Sequence, residues 1–161
     1  MHSESMKLMQ KFKIEFADNL SGNRISILDI GAKRVHRAHN TYRRIFKPPR
    51  YVYTGMDIEP GLNVDIVGYE NILRIYDIVI SGQTLEHVKR PWEWMKLWAK
   101  YFLDYICVIA PHSAKEHRFP MDTYRYLPDG MADLFNYAGI IPVETIKDDW
   151  DTMGIGRHGS S

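Results

Sequence analysis

The segment Ser26-Ile27-Leu28-Asp29-Ile30-Gly31, answered by Tyr53-Thr54-Gly55-Met56-Asp57-Ile58, constrains this chain more than any other feature. An apolar run of this length, bounded by turn residues, reads as a strand buried on both faces, as in a parallel sheet covered by helices. Gly31 closes the first run, and the acid Asp57 closes the second 26 positions later. In open α/β sheets ligands bind beyond the carboxyl ends of the strands. There a glycine lets backbone approach the ligand and an acid accepts from ribose hydroxyls. The pair points to a nucleoside-containing cofactor.

The rest of the chain supplies the matching elements. Residues 3–18 read as an amphipathic helix, with Leu8, Met9, Phe12 and Phe16 spaced by three to four. Ser21-Gly22-Asn23 breaks it. Strands are predicted at 24–30, 50–58, 63–67, 76–81, 105–110 and 140–146, with a seventh at 152–155. Helices are predicted at 35–46, stopped by Pro48-Pro49, at 91–102 from Pro91, and at 128–137, closed by Gly139. Within the second of these, Trp94, Leu97, Trp98, Tyr101 and Phe102 share one face and read as core packing. The alternation predicts an α/β, Rossmann-like, doubly wound and mostly parallel sheet of about seven strands, with helices on both faces. At 161 residues the chain reads as one domain, residues 1–22 forming the N-terminal helix and 23–161 the core.

Charge and cysteine usage exclude several classes. Net charge is +1, but residues 33–50 hold Lys33, Arg34, Arg37, Arg43, Arg44, Lys47 and Arg50 and no acid. This polarity reads as a solvated helix face, with steering of an anionic substrate or of nucleic acid as the rival reading. The single cysteine, Cys107, lies inside an apolar strand, which excludes an intrachain disulfide framework. No apolar run approaches the roughly 18–20 residues that span a bilayer, and the N-terminus lacks the apolar core of a signal peptide. The expectation is a soluble, cytoplasmic protein with no membrane partner.

Further segments extend the pattern: Val64-Asp65-Ile66-Val67, Tyr76-Asp77-Ile78-Val79, Leu85-Glu86-His87-Val88, Pro91-Trp92, Ala110-Pro111, His117-Arg118-Phe119-Pro120-Met121-Asp122, Arg125 and Pro128-Asp129-Gly130-Met131. In this order and spacing the chain resembles the class I S-adenosylmethionine-dependent methyltransferases. It looks most similar to small single-domain members carrying LEHV and H-x-F-P-x-D segments. The resemblance covers about residues 25–142.

The resemblance implies S-adenosylmethionine as cofactor. That molecule carries no pyrophosphate, so a full Gly-x-Gly-x-x-Gly loop is not required, and Gly31 is followed here by Ala32-Lys33-Arg34. By the resemblance, Asp29, Gly31 and Ala32 belong to the cofactor set, Asp57 takes the ribose hydroxyls, and Ile58 lies against adenine. Ser81, Gly82 and Gln83 line the methionine end. The connection between the third and fourth strands is compressed to Gly68-Tyr69-Glu70-Asn71. Tyr69 joins the cofactor set, while the residue that meets the adenine amino group stays open.

Methyl transfer to a hydroxyl calls for positioning, at about 3–3.5 Å from the methyl carbon, and for a base. Imidazole is the side chain whose ordinary titration lies nearest neutrality. His87 and His117 are the candidate catalytic residues. His117, Asp122 and Arg125 are the candidate substrate contacts. The bland alternatives are a packing role for His87 and a salt-bridge cluster that pins a lid for the segment 117–125. The implied reaction is O-methylation of a small-molecule or glycan acceptor. The Asp-Pro-Pro-Tyr or Asn-Pro-Pro-Tyr signature expected of many amino-group nucleic-acid methyltransferases is absent after the fourth strand, which disfavours nucleic acid. His36 and His39, spaced i, i+3, lack a third ligand nearby in sequence, and no metal is expected. The shortened glycine loop motivates a second reading, a non-catalytic member of the fold serving as a binding or partner module. A nicotinamide oxidoreductase is disfavoured by the missing pyrophosphate loop.

Overall fold

A computed structural model describes residues 3–35 and 40–159. Seven strands form one sheet: β1 (Ile25–Ile30), β2 (Tyr51–Asp57), β3 (Ile66–Val67), β4 (Tyr76–Gly82), β5 (Phe102–Pro111), β6 (Ile140–Lys147) and β7 (Asp151–His158). Their order is β3-β2-β1-β4-β5-β7-β6. β1 pairs in parallel with both β2 and β4, and β4 pairs in parallel with β5. β7 runs antiparallel between β5 and β6. The strand order reverses between β1 and β4, which makes the carboxyl ends of those two strands the topological switch point.

The alternation of side chains divides each central strand between two cores. Ile25 and Ile27 of β1, Ile78 and Ile80 of β4, and Cys107 and Ile109 of β5 face one side. There they meet Leu8, Met9 and Phe12 of helix α1 (Ser3–Glu15). Leu28 and Ile30, Val79, and Ile106 and Val108 face the other, against Met95 and Trp98 of α2 (Pro91–Trp98) and Met131 and Phe135 of α3 (Pro128–Tyr137). Burial on both faces is why the middles of these strands read as apolar runs. Helices cover both faces, as expected.

The elements depart from the sequence reading in four places. The helix expected at 35–46 is not formed by the described part of that stretch, which holds one 3-10 turn, Tyr42–Arg44, after an extended Thr41. Clustered cations with no acid offer a helix no i, i+4 pairs. The segment is held instead by burial of Tyr42 and Phe46 and by the contacts of Arg43. α2 stops at Trp98 rather than at residue 102, because Phe102 opens β5 in register with Tyr76. β3 shrinks to two residues, since Asn63 (φ 74) and Asp65 spend their side chains on β2 and its neighbours. β7 runs for eight residues rather than the expected four, paired on both sides. His36 and His39 lie outside the described residues. No helix is long and apolar enough to cross a membrane among the described residues.

Candidate active site

The strand ends at the switch point, those of β1 and β4, and that of the neighbouring β2 are built differently. At the end of β1, Gly31 adopts φ 74, a left-handed conformation that favours glycine. A side chain there would also collide with Thr84, whose Oγ1 lies 2.1 Å from where a Cβ would sit. Asp29 is buried and accepts a short hydrogen bond from the Tyr53 hydroxyl. Burial pushes its carboxyl up to about 7, against the opposing pull of Tyr53 and Arg43. Tyr53 in turn accepts from Asn63 Nδ2 (3.2 Å), which also donates to the Ala32 carbonyl at 2.8 Å. Arg43 lies over the Tyr53 ring at 4.5 Å, donates to Asn63 Oδ1 at 2.8 Å and pairs with Asp65. Asp29 therefore belongs to a buried network that fixes the loop after β1.

At the end of β2, Asp57 is held by two backbone donors. Oδ2 accepts the Lys33 N–H at 3.0 Å, and Oδ1 accepts the Glu59 N–H at 3.2 Å. A carboxylate offers about four lone-pair sites, so two stay open. Ile58 beside it is 74% exposed, and Tyr69, from the 3-10 turn Tyr69–Asn71, is also exposed. Ala32 is buried.

At the end of β4, the Ser81 hydroxyl donates to the Ile30 carbonyl at 2.9 Å and ties β4 to β1. Gly82 lies against Tyr42, whose hydroxyl sits 1.9 Å from where a Cβ would be, and Tyr42 shares a 2.5 Å hydrogen bond with Ser5 of α1. Gln83 (φ 58) keeps its Nε2 buried with no protein partner. A buried donor without a protein partner calls for a water or ligand acceptor.

Beyond Gln83 a 3-10 turn, Leu85–His87, carries the feature that sequence reasoning missed. Glu86 is fully buried, and neither carboxyl oxygen has a hydrogen-bond partner. Burial, reinforced by Asp151 and Asp122 and opposed by Arg125, pushes its carboxyl up to about 8. His87 Nε2 lies 3.7 Å and His117 Nε2 3.8 Å from Glu86 Oε1. The only sequence signal was an acid within the Leu-Glu-His-Val segment, where a buried charge is rare.

The loop 112–127 holds His117 against this turn. Thr123 donates from its backbone and its hydroxyl to the Glu86 carbonyl, both at 2.7 Å, and the Tyr126 hydroxyl donates to the Leu85 carbonyl at 3.1 Å. Arg125 grips both oxygens of Asp122, at 2.5 and 2.7 Å, and donates to the carbonyls of Ala114 and Lys115. The guanidinium holds the Asp122 carboxyl well below the usual carboxylate range. Asp122 also accepts the His117 backbone N–H at 2.6 Å. The structure thus places Asp122 and Arg125 in a clamp that shapes the loop, while His87 and His117 come together. In the basic segment Arg44 and Lys47 are exposed, while three other cations hold local partners. Lys33 pairs with Glu59, Arg43 with Asp65, and Arg50 donates to the carbonyls of Asp18, Leu20 and Gly22. A surface hollow of about 770 Å³ lined by Lys96, Phe102, Gly139 and His158 opens at the amino ends of the parallel strands, opposite the switch point.

No protein-family model matches the chain, and no curated protein matches it. Solved structures do match. Magnesium protoporphyrin IX methyltransferase (ChlM) from Synechocystis PCC 6803 with bound SAH aligns over 97% of this chain and 83% of that one, with a TM-score of 0.67 at 12% identity. The N-terminal domain of EvdMO1 in the presence of SAH and D-fucose aligns over 98% and 84%, with a TM-score of 0.63 at 17% identity. The [4+2]-cyclase SpnF aligns over 97% and 81%, with a TM-score of 0.72 at 11% identity. At such identities the likeness establishes fold, and a cyclase beside methyltransferases illustrates that one scaffold hosts different reactions. The chain has the fold of the class I S-adenosylmethionine-dependent methyltransferases.

Proposed function

We propose that this protein binds S-adenosylmethionine at the switch point and transfers its methyl group to an oxygen of a small polar acceptor, a small molecule or a glycan. The observation that carries the reading is Asp57. Its carboxylate is pinned by two backbone N–H groups, keeps two lone pairs open, and stands beside an exposed Ile58. That arrangement fits a ribose with its base lying on an apolar face. At the other end, the unpaired Gln83 Nε2 fits the oxygens of an amino-acid tail. When bound, the cofactor supplies a methyl group on a positive sulfur, ready for displacement. The chain's own part is to hold both reactants in line and to loosen the acceptor proton. His117 is suited to the latter: its ring is half exposed, so an acceptor can reach it, and its Nε2 points at the Glu86–His87 turn. His87, mostly buried and bonded to the Met121 carbonyl at 2.6 Å, is a positioning residue.

Calorimetry with S-adenosylmethionine and S-adenosylhomocysteine tests the reading. Saturable binding to the wild type that weakens in Asp57→Ala supports it, and absence of binding to the wild type overturns it. A second reading, a non-catalytic binding or partner module, draws on the Thr84 side chain beside Gly31 and on Tyr42 against Gly82, which leave little free space at those two glycines. The same titration separates the two readings.

A further inference from the structure

Glu86, His87 and His117 each offer one ligand atom within 4.8 Å of the others. Three features of this cluster go beyond an acid–base pair. First, the Glu86 carboxyl is fully buried with neither oxygen hydrogen-bonded, a state that calls for a counter-charge or a proton. Second, both imidazoles are set in the same tautomer by their surroundings. His87 Nδ1–H donates to the Met121 carbonyl at 2.6 Å, and His117 Nδ1–H donates to the Lys115 carbonyl at 3.2 Å. Each ring therefore turns the lone pair of Nε2 toward Glu86 Oε1. A carbonyl holding Nδ1–H while Nε2 faces inward is how metal-binding histidines are oriented. Third, the two rings meet edge to face at 90° with centroids 5.1 Å apart, and both Nε2 atoms approach the same carboxyl oxygen, at 3.7 and 3.8 Å.

We propose that Glu86, His87 and His117 form a three-ligand site for a divalent transition-metal ion of the zinc type. Two imidazoles and one carboxylate, with a further position open toward solvent on the His117 side, are the donor set of open zinc sites. Ligands at about 2.0–2.1 Å from a tetrahedral ion stand roughly 3.3 Å apart. The observed 3.7 and 3.8 Å separations from Glu86 Oε1 need a contraction of a few tenths of an ångström, and the remaining ligand pair starts from within 4.8 Å. Glu86 and His87 share one short turn, so the movement falls to the loop that bears His117. His117 lies thirty positions beyond the Glu86-His87 pair, which explains why spacing alone pointed to no metal.

The proposal rests on the methyl-transfer reading and revises its acceptor end: His117 Nε2 serves as a ligand in place of the free base, and an acceptor hydroxyl at the open position would lose its proton more readily beside the ion. It does not depend on cofactor binding, and its test is independent. Purified protein stripped with chelator is titrated with Zn²⁺ by calorimetry and with Co²⁺ by visible absorption. The expected result is one ion per chain, with the intense visible bands of low-coordinate Co²⁺. His117→Ala and Glu86→Gln should each weaken binding by about tenfold or more. His112→Ala, which removes an imidazole bonded to the Asp148 carbonyl outside the cluster, should bind as the wild type does. His117 is half exposed, so its variant keeps the fold, verifiable by circular dichroism. Absence of saturable binding to the wild type overturns the site, as does undiminished binding by both cluster variants. Loss of S-adenosylmethionine binding with retained Zn²⁺ binding would instead fault the methyl-transfer reading alone.

Discussion

His87 and His117, thirty positions apart in sequence, meet edge to face and direct their Nε2 atoms at one oxygen of Glu86. The meeting depends on the loop 112–127 folding back over the turn at Leu85–His87, and on the hydrogen bonds of Thr123 and Tyr126 that fasten it there. It gives the switch point a chemical centre that neither histidine has alone.

Removing His117 should therefore separate binding from turnover. For His117→Ala we expect methyl transfer to fall by roughly 10²–10⁴-fold, the usual contribution of a positioned proton-handling group. Affinity for S-adenosylmethionine should stay within about twofold, because no contact of His117 reaches Asp57 or Gln83. Single-turnover kinetics beside calorimetry measure both, and equal losses in the two would remove His117 from the acceptor chemistry.

Asp57 should show the converse. Hydrogen bonds to a charged group are worth about 1.5–3 kcal/mol, so Asp57→Ala should weaken cofactor binding by roughly 10- to 100-fold per ribose hydroxyl engaged. Asp57→Asn keeps an oxygen acceptor without the charge and should fall between. Titration of 2′-deoxy cofactor analogues against the wild type checks the same contact from the ligand side.

Arg125 holds the loop that carries His117 through a bidentate grip on Asp122 and two backbone carbonyls. Arg125→Ala should cost about 2 kcal/mol or more and free the segment for cleavage. Limited proteolysis should then cut within 112–127 in the variant and not in the wild type. Uncut loops in both would mean that Thr123 and Tyr126 suffice to hold it.

How far the sequence discloses this arrangement depends on what each residue does. β1 and β4 are legible because both their faces are largely buried, which leaves mostly apolar residues before a turn, and β2 because its partly buried run ends in Asp57. The helix expected after β1 is not, because its anchors act at long range: Tyr42 fills the space beside Gly82, and Arg43 reaches Asp65. β7 is masked by Gly154 and Gly156, residues of low strand propensity tolerated where α3 packs closely. The cofactor side of the site is written locally, as an acid or a glycine at a strand end. Glu86 is hidden because nothing near it in sequence signals burial; the loop that covers it is thirty residues away.

The buried Glu86 also makes stability depend on pH in a definite direction. Its carboxyl is pushed from the ordinary 4.5 up to about 8 by burial, so between those values the folded protein keeps a proton that the unfolded chain has released. Stability is then greatest below about 4.5 as far as this group is concerned, and it declines as pH rises toward 8. Asp29, pushed up to about 7, acts in the same sense. Glu86→Gln removes one of the two contributions while keeping the shape. In chelated protein the variant should melt higher than the wild type at pH 8.5–9, and the difference should close near pH 5. Added Zn²⁺ should raise the melting temperature of the wild type at pH 8.5 more than that of Glu86→Gln, since an ion beside Glu86 supplies the counter-charge for its carboxylate. A difference in melting temperature that stays constant across the pH range would show that Glu86 is ionised throughout.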